Sequence, residues 1–446
     1  MKLSLFGLSK AIIFLLLSIL LVLSFMGNNV NDIGLFLFLS YLCMIFLYRP
    51  IEYANNLLFF MIIIPMLIGG FLIEQGSYLF EIDKYSYWNG TFIINLFICL
   101  VFVEFLTYPV KTGKLKITFK INELYIEAAM IFALLILYGT FLSTGIPLLN
   151  GIHRSVYFSS IVPDYVNLVK GRLSFFCLVL GYYYFHSKNK RYLFYFFLVI
   201  MYHILCSIKG GELLIVVYAF FLPITLYYTS RYSRTEKHKV YRKIRLSLAL
   251  LIIAVFSLVF VNYQTVENYD SGTTALEKIE KRVEAAGQIW WVINDESQVS
   301  DGFRWDKFTA NLVGDDNRFD QGMNQLMNEV VPDKYLNSWR QSDERGRSLA
   351  NGFPAIGYYY FGYFGVAVFM SLLGSAIILI KKDILTSFVS GDVFSFLFIA
   401  PLLELVIRVV AQGDINLFFE RRTYAILIAY SIYGVVKRMM VRMKEA

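Results

Sequence analysis

NYQTVENYDSGTTALEKIEKRVEAAGQIWWVINDESQ, residues 262–298, breaks into a chain that is otherwise almost continuously apolar. It opens a polar stretch from Val261 to Pro354 with 16 Asp and Glu and 10 Lys and Arg, and apolar sequence resumes at FPAIGYYYFGYFG, residues 353–365. The segments on either side read as membrane spans, so the interruption is a soluble face on which recognition or chemistry can be built. Its length decides the architecture: a polytopic bundle with one large late loop.

The rest of the composition agrees. Of 446 residues 57% are hydrophobic and 17% charged, and mean hydropathy is +0.58, whereas a soluble chain of this size carries about 25% charge. Apolar runs near the length that crosses roughly 30 Å of hydrocarbon recur along the chain, which excludes the alternating pattern of a barrel and predicts an all-α helical bundle. Twelve spans are expected, near 11–26, 32–48, 56–73, 90–109, 122–142, 172–186, 192–206, 212–229, 246–262, 355–379, 392–410 and 423–436. The domain reading is therefore nine spans over residues 1–262, the large loop over 263–354, and three spans over 355–446. The first span follows Lys2 and Lys10 like a signal peptide, but MGNNVNDIG (26–34) has no small-residue cleavage site, so it reads as a retained helix.

The net charge of +8 would point to nucleic acid in a soluble protein. Here 23 of the 41 basic residues fall in alternate short turns: the amino terminus, RPIEYAN, VKTGKLKITFK, HSKNKR, RYSRTEKHKVYRKIR, KKD and the tail. That is an orientation signal, and it implies no nucleic-acid partner. Both termini are expected in the cytoplasm and the large loop outside, in the periplasm of a bacterial inner membrane. Cys43, Cys99, Cys177 and Cys206 all lie in or at apolar segments, so neither a disulfide framework nor a metal cluster is expected. Asp315 and Asp316 lack the alternating oxygen ligands of a calcium loop. No metal or cofactor is expected. No internal repeat is visible.

Within the large loop, Leu276, Ile279, Val283, Ala286 and Trp290 form a helical stripe over 274–292, opposite Glu277, Lys281, Glu284 and Gln288. With Trp290 and Trp291 near its end, this predicts a helix on the bilayer surface or capping the bundle. A second helix is predicted from Phe319 to Val330, with Phe319, Met323, Leu326 and Val330 as its stripe and Pro332 as its stop. The exit SWRQSDERGRSLANG (338–352) is basic, and Gly357, Gly362 and Gly365 then punctuate a row of Tyr and Phe, a setting for a bend or close helix contact. Tyr358 and Tyr359 in that row are read as either belt residues or a rim that stacks on sugar rings.

A second outer loop, STGIPLLNGIHRSVYFSSIVPDYVNLVKGR (143–172), is too long for a plain turn and carries His153, Arg154, Lys170 and Arg172. The outer segment IEQGSYLFEIDKYSYWNG (73–90) reads as an interfacial aromatic belt. An Arg fork meets phosphate oxygens bidentately, which makes Arg154, Lys209, Arg282, Arg345, Arg347, Arg408, Arg421 and Arg422 candidates for an anion at headgroup depth. Arg408, in LLELVIRVVAQGD (402–414), lies just inside the outer end of its span with Glu404 a turn earlier, so an internal ion pair and a ligand site are both open. Lys209 sits in the short turn SIKGGE.

The stretches AAGQIWW (285–291), NGFPAIGYYYFGYFG (351–365) and VIRVVAQGDINLFFERR (406–422), within this twelve-span layout, resemble the bacterial O-antigen polymerase family, Wzy. Members often carry an Arg followed by a Gly about sixteen positions later in two outer loops. Gly171 after Arg154 and Gly362 after Arg345 each fall one position beyond that spacing. The turn residue that is commonly Arg in relatives stands as Lys209. The resemblance implies a GT-C-like, metal-independent glycosyltransferase that joins undecaprenyl-pyrophosphate-linked oligosaccharide repeat units on the periplasmic side. It implies membrane lipid as surroundings, and a chain-length regulator and a flippase of the same pathway as partners. On that reading Arg154, Lys209, Arg282 and Arg408, with Arg345, Arg347 and Arg421, would bind the pyrophosphate. Glu284 or His153 would act as base. Gln288, Trp290, Trp291, Tyr358 and Tyr359 would contact glycan. The related O-antigen ligase relies on a histidine in the large loop, and none of His153, His186, His203 and His238 lies there. A flippase or exporter would line mid-membrane with charge, and a scaffold role is the remaining alternative.

Overall fold

The computed structural model describes residues 5–111, 121–152, 154–206, 210–231, 237–265, 274–295, 303–313, 321–342 and 352–445. Among the described residues the fold is all-α apart from one two-rung hairpin. In chain order the helices begin with α1 (Leu5–Phe25), α2 (Asn31–Tyr48), α3 (Pro50–Ala54), α4 (Leu57–Ile73), α5 (Thr91–Leu106) and α6 (Glu123–Thr144). The hairpin β1 (Tyr78–Leu79) and β2 (Lys84–Tyr85) lies between α4 and α5. Then come α7 (Arg154–Val156), a π turn at Tyr157–Ile161, α8 (Asp164–Lys170), α9 (Leu173–Ser187), α10 (Lys190–Leu205), α11 (Gly210–Arg231) and α12 (Lys237–Thr265). The large loop holds α13 (Ala275–Ile293), α14 (Trp305–Val313), α15 (Gly322–Val330) and α16 (Asp333–Ser342). The chain closes with α17 (Ala355–Ser390), α18 (Phe396–Gln412) and α19 (Arg421–Glu445).

Each of the twelve apolar segments is helical. Among the described residues six helical stretches are long and apolar enough to cross a membrane: Phe6–Phe25, Asn31–Tyr48, Glu123–Thr144, Glu212–Ser230, Ala355–Ser390 and Val393–Gln412. Helices α4 and α5 are apolar but shorter. Large apolar side chains point outward along these helices, with Leu142 93% and Phe132 66% exposed on α6. Such a surface is costly in water and matched by lipid tails, which is the physical mark of a membrane-type chain.

The chain forms two compact units. The first comprises Met1–Tyr108, Glu280–Ile378 and Leu405–Ala425, so it takes in most of the large loop with the first four apolar helices. Its core is aliphatic and aromatic, with Phe59, Ile93, Leu96, Phe102 and Trp291 all buried. Glu74, at the end of α4, is buried and accepts from Asn31 Nδ2 (2.7 Å), Thr91 Oγ1 (3.0 Å) and the Phe92 amide (2.7 Å), thereby tying the start of α5 to α2 and α4. Burial raises this carboxyl above its usual range, and the three donors pull the other way.

Helix α13 confirms a helix over 274–292 but corrects its stripe: Leu276 is exposed, and Gln288, expected on the polar face, is buried, because the second half of the helix is enclosed on all sides. Its second half, from Ala286 onward, is buried, and it packs on α4 with almost no side-chain spacer. A Cβ on Gly287 would stand 2.1 Å from the Gly70 amide nitrogen, and one on Gly69 would stand 2.0 Å from the Val283 carbonyl. Helix α15 follows the predicted stripe, with Met323, Leu326 and Val330 buried and Pro332 just beyond its end; Phe319 lies outside the described residues. Helices α14 and α16 are not signalled by that stripe analysis. The glycine-punctuated re-entry does bend: α17 is interrupted at Phe361 and Gly362, and Gly365 abuts the Gly357 carbonyl, so the chain doubles back on itself by close glycine contact.

The second unit comprises Pro109–Ile279, Leu379–Glu404 and Ile426–Ala446. Helices α9 and α11 touch where Gly181 faces the Phe220 carbonyl, at 2.3 Å from an added Cβ. Phe196 stacks on Phe220 at 4.0 Å, and Phe388 is ringed by Tyr182, Phe185, His186 and Tyr227. The buried Asp392 accepts from Ser395 Oγ (2.5 Å), Tyr433 OH (2.6 Å) and Lys437, which pins α19 to the turn before α18.

Candidate functional site

Three segments far apart in sequence meet in the first unit. Gly352, at the loop exit, lies backbone to backbone with Gly413 of the AQGD turn: a Cβ on Gly352 would stand 2.6 Å from both Gly413 Cα and the Gln412 carbonyl. Gly413 takes φ +78°, a conformation that side-chain-bearing residues rarely adopt. Gly322, which opens α15, faces the Asn416 side chain. Only glycines leave room for these approaches, and together they fix the residue that follows Gly413.

That residue is Asp414. It stands at the N-cap of the 3-10 turn Ile415–Phe419, yet its side chain makes no cap hydrogen bond. Among the described residues its carboxylate accepts no hydrogen bond. Burial pushes its pKa up to about 6, Glu420 adds to the rise, and Arg408 opposes it. Tyr360 is within electrostatic reach on the re-entry side. Nearby, the buried Asn416 Oδ1 has no hydrogen-bond partner. A carboxyl held poised near neutrality, beside a cation and an unsatisfied amide oxygen, is a group prepared to exchange a proton.

Tyr360 links this turn to a second polar group. Its hydroxyl accepts from Asn311 Nδ2 (2.9 Å) and donates to Gln325 Oε1 (3.1 Å), which joins α14 and α15. One residue earlier, Tyr359 OH donates to Glu329 Oε1 at 2.7 Å. Arg304 bonds the other oxygen of Glu329 at 2.5 Å, and Lys307 bonds the same oxygen as Tyr359. The Arg304 guanidinium also lies 4.7 Å from the centre of the Tyr359 ring. Burial and the Arg304 charge hold the Lys307 ammonium below the usual lysine range. Two cations thus share one carboxylate, with Asp306 also within electrostatic reach of Lys307.

The other expected residues fall as follows. Glu284 is half-buried and accepts from Ser77 Oγ at 2.8 Å. Gln288 is buried and donates to Glu81. The Trp290 and Trp291 indoles donate to the Thr91 and Tyr87 carbonyls at 2.8 and 2.9 Å. Both rings are enclosed, so they clamp α13 to the 73–91 segment and present no open face for a sugar. Tyr359 is buried as well, and Tyr358 is half-buried against Trp290. Arg282 is exposed on α13, and Arg408 is exposed on α18 beside Asp414. Arg421 and Arg422 are exposed at the start of α19. His153, Lys209, Arg345 and Arg347 lie outside the described residues.

Arg154 belongs to the second unit, where it opens α7. There Lys170 pairs with Glu212 at 2.8 Å and lies 3.9 Å from the centre of the Phe158 ring. Arg154 and the buried His203 are within electrostatic reach of the same Glu212 carboxylate. The 145–172 loop is held over this point by the Leu148 amide, which donates to the Leu205 carbonyl (3.0 Å), and by a Tyr157–Thr144 hydroxyl contact (2.9 Å). The cluster collects at the first turn of α11, where a helix favours negative charge. Among the described residues no group of His, Cys, Asp and Glu is placed to hold a metal ion.

Sequence reading had not singled out Arg304, Lys307, Glu329, Glu212 or Asp414. Asp414 stood inside the AQGD stretch, and its position after a glycine just beyond an apolar segment was the available signal. A family model, described as a family of unknown function (DUF6418), matches residues 316–427. That stretch holds α15, the glycine re-entry, Arg408 and the AQGD turn. No curated protein and no solved structure matches the chain.

Proposed function

We propose that this chain is a membrane glycosyltransferase of the O-antigen polymerase type, which extends a glycan carried on a polyprenyl pyrophosphate. The observation that carries the reading is the junction of the loop exit with the AQGD turn. It sets beside Arg408 a carboxyl that accepts no hydrogen bond among the described residues, and α14 and α15, which carry the Arg304, Lys307 and Glu329 group, pack on the same 3-10 turn at the ends of apolar helices. A lipid-linked, anionic, sugar-bearing substrate has those three requirements: an apolar surface for its tail, cations for its phosphates and a polar group for a hydroxyl.

In the reaction, an acceptor hydroxyl attacks the anomeric carbon of the donor glycan. A carbon–oxygen bond forms to the acceptor, the bond to the pyrophosphate oxygen breaks, and its electron pair leaves with the pyrophosphate. Fixed cations stabilise the charge that develops on that leaving group. Within the first unit, Arg408, exposed beside the AQGD turn, is suited to this role. The short-loop charge bias orients twelve spans with both termini in the cytoplasm and the large loop in the periplasm.

The test is reconstitution of the purified chain in liposomes with an undecaprenyl-pyrophosphate-linked repeat unit and no nucleotide sugar. A ladder of longer glycans is expected. Movement of the unit across the bilayer without growth would instead mark a flippase, and transfer only onto a lipid A core would mark a ligase.

A further inference from the structure

We infer that Asp414 is the group that accepts the proton of the attacking sugar hydroxyl, with Arg408 beside it as the charge that holds the acceptor carboxylate ready. The inference rests on the glycosyl-transfer reading and goes beyond it by assigning the base, for which the sequence had pointed to Glu284 or His153.

The geometry separates the carboxyls of the first unit by their partners. Glu284 takes a hydrogen bond from Ser77, Glu81 one from Gln288, and Asp295 bonds from Lys84 and Tyr87. Glu74 accepts from three donors, and Glu329 from two cations and a hydroxyl. Each of these is committed to holding the fold, while Glu52 Oε2, on the short α3, is buried without a hydrogen-bond partner among the described residues. Asp414 is half-buried on a backbone that glycine contacts fix from two sides, and its carboxylate accepts no hydrogen bond among the described residues. Its oxygens are therefore open to a donor from outside the fold. A sugar hydroxyl is a donor of the right kind, and the orphaned Asn416 Oδ1 offers a second acceptor for a neighbouring hydroxyl.

The proton balance follows directly. As the acceptor oxygen bonds the anomeric carbon, its proton passes to Asp414, and the pyrophosphate leaves with the pair from the broken bond. Asp414 then returns the proton to solvent. The titratable and charged groups facing it are Arg408 on α18, Glu420 at the end of the 3-10 turn and Tyr360 on the re-entry. Direct attack assisted by one base is a single displacement, so the new linkage has the opposite anomeric configuration to the donor.

The experiment compares the parent chain, D414N and D414E in liposomes with the lipid-linked repeat unit, and measures initial elongation from pH 4.5 to 8 along with retention of the unit by the protein. The parent should elongate with an acid limb centred near pH 6. D414N should be slower by about 100-fold or more, retain the lipid-linked unit within about twofold, and be at least as stable to heat as the parent. D414E should recover part of the rate with a displaced limb. Infrared difference spectra against pH give a readout free of turnover: a carboxyl band titrating near pH 6 should vanish in D414N. A D414N chain that keeps the parental rate and acid limb, or a parent spectrum lacking such a band, overturns the assignment. A parent that elongates no glycan overturns the functional reading itself and the acceptor's identity with it.

Discussion

Gly287→Ala tests how the large loop is held. An alanine Cβ at this position would meet the Gly70 amide nitrogen at 2.1 Å, the Gly69 carbonyl carbon at 2.4 Å and the Gly70 Cα at 2.8 Å. These are backbone atoms, which cannot swing aside as a side chain would. To reach ordinary contact the closest distance has to open from 2.1 Å to at least 3.4 Å. That movement pulls on Trp290 and Trp291, whose indoles bond the Thr91 and Tyr87 carbonyls less than two turns along the same helix. Forced overpacking costs about 1–3 kcal/mol, and two hydrogen bonds contribute about 0.5–1.5 kcal/mol each. A loss of about 2–6 kcal/mol is therefore expected, a large share of a typical folding free energy. Thermal unfolding of the purified chain, with limited proteolysis of residues 274–295, measures it. Gly139→Ala is the control, because nothing lies within 4 Å of its added Cβ; in a helix it should be neutral or stabilising by about 0.5–1 kcal/mol. The same change in a Trp290→Phe background should cost less than in the parent, since that hydrogen bond is already gone. A Gly287→Ala chain as stable and as protease-resistant as the Gly139→Ala control would refute the backbone-contact account of α13.

The remaining predictions concern the site. Gly352→Ala should displace the AQGD turn and abolish elongation, because the added Cβ meets Gly413 and Gln412 backbone at 2.6 Å; glycan ladders read the loss, and parental activity would mean the contact is dispensable. Arg408→Ala removes a charge that favours ionised Asp414, so the acid limb should move to higher pH, while Glu420→Gln should move it lower. Asp414 keeps its proton in the folded chain up to about pH 6, whereas the unfolded chain releases it near pH 4, so folding stability should fall as pH rises between those values. Asp414→Asn should flatten that slope in unfolding scans. Glu329→Gln should cost about 2–3 kcal/mol by leaving Arg304 and Lys307 against a neutral amide, a figure below that of a fully buried pair because the three side chains keep some solvent contact.

Much of the fold was legible in single segments. Hydropathy located every apolar helix, and the 3.6-residue stripe placed α13 and α15 within a few residues, because burying one face of a helix requires apolar side chains at that period. Glycines at 357, 362 and 365 announced a bend, since the backbone there reaches conformations and distances closed to larger residues. Trp290 and Trp291 were expected to contact glycan, yet whether they face sugar or protein depends on what packs above them, and their indoles bond the Thr91 and Tyr87 carbonyls of the 73–91 segment. Arg304, Lys307 and Glu329 carry no local signature either: their meaning is the pairing, and each partner is an ordinary polar position on its own short helix.

Asp414 marks the division most clearly. By itself the sequence determined that this is a helical, membrane-type chain with one large polar loop, because periodicity and hydropathy are properties of each segment alone. Only the tertiary structure decided that, among the described residues, Asp414 accepts no hydrogen bond while Glu74 and Glu284 do. Partners come from residues far away in the chain, and the close approaches at Gly352, Gly413 and Gly322 set which groups are within a hydrogen bond of one another and which are left open.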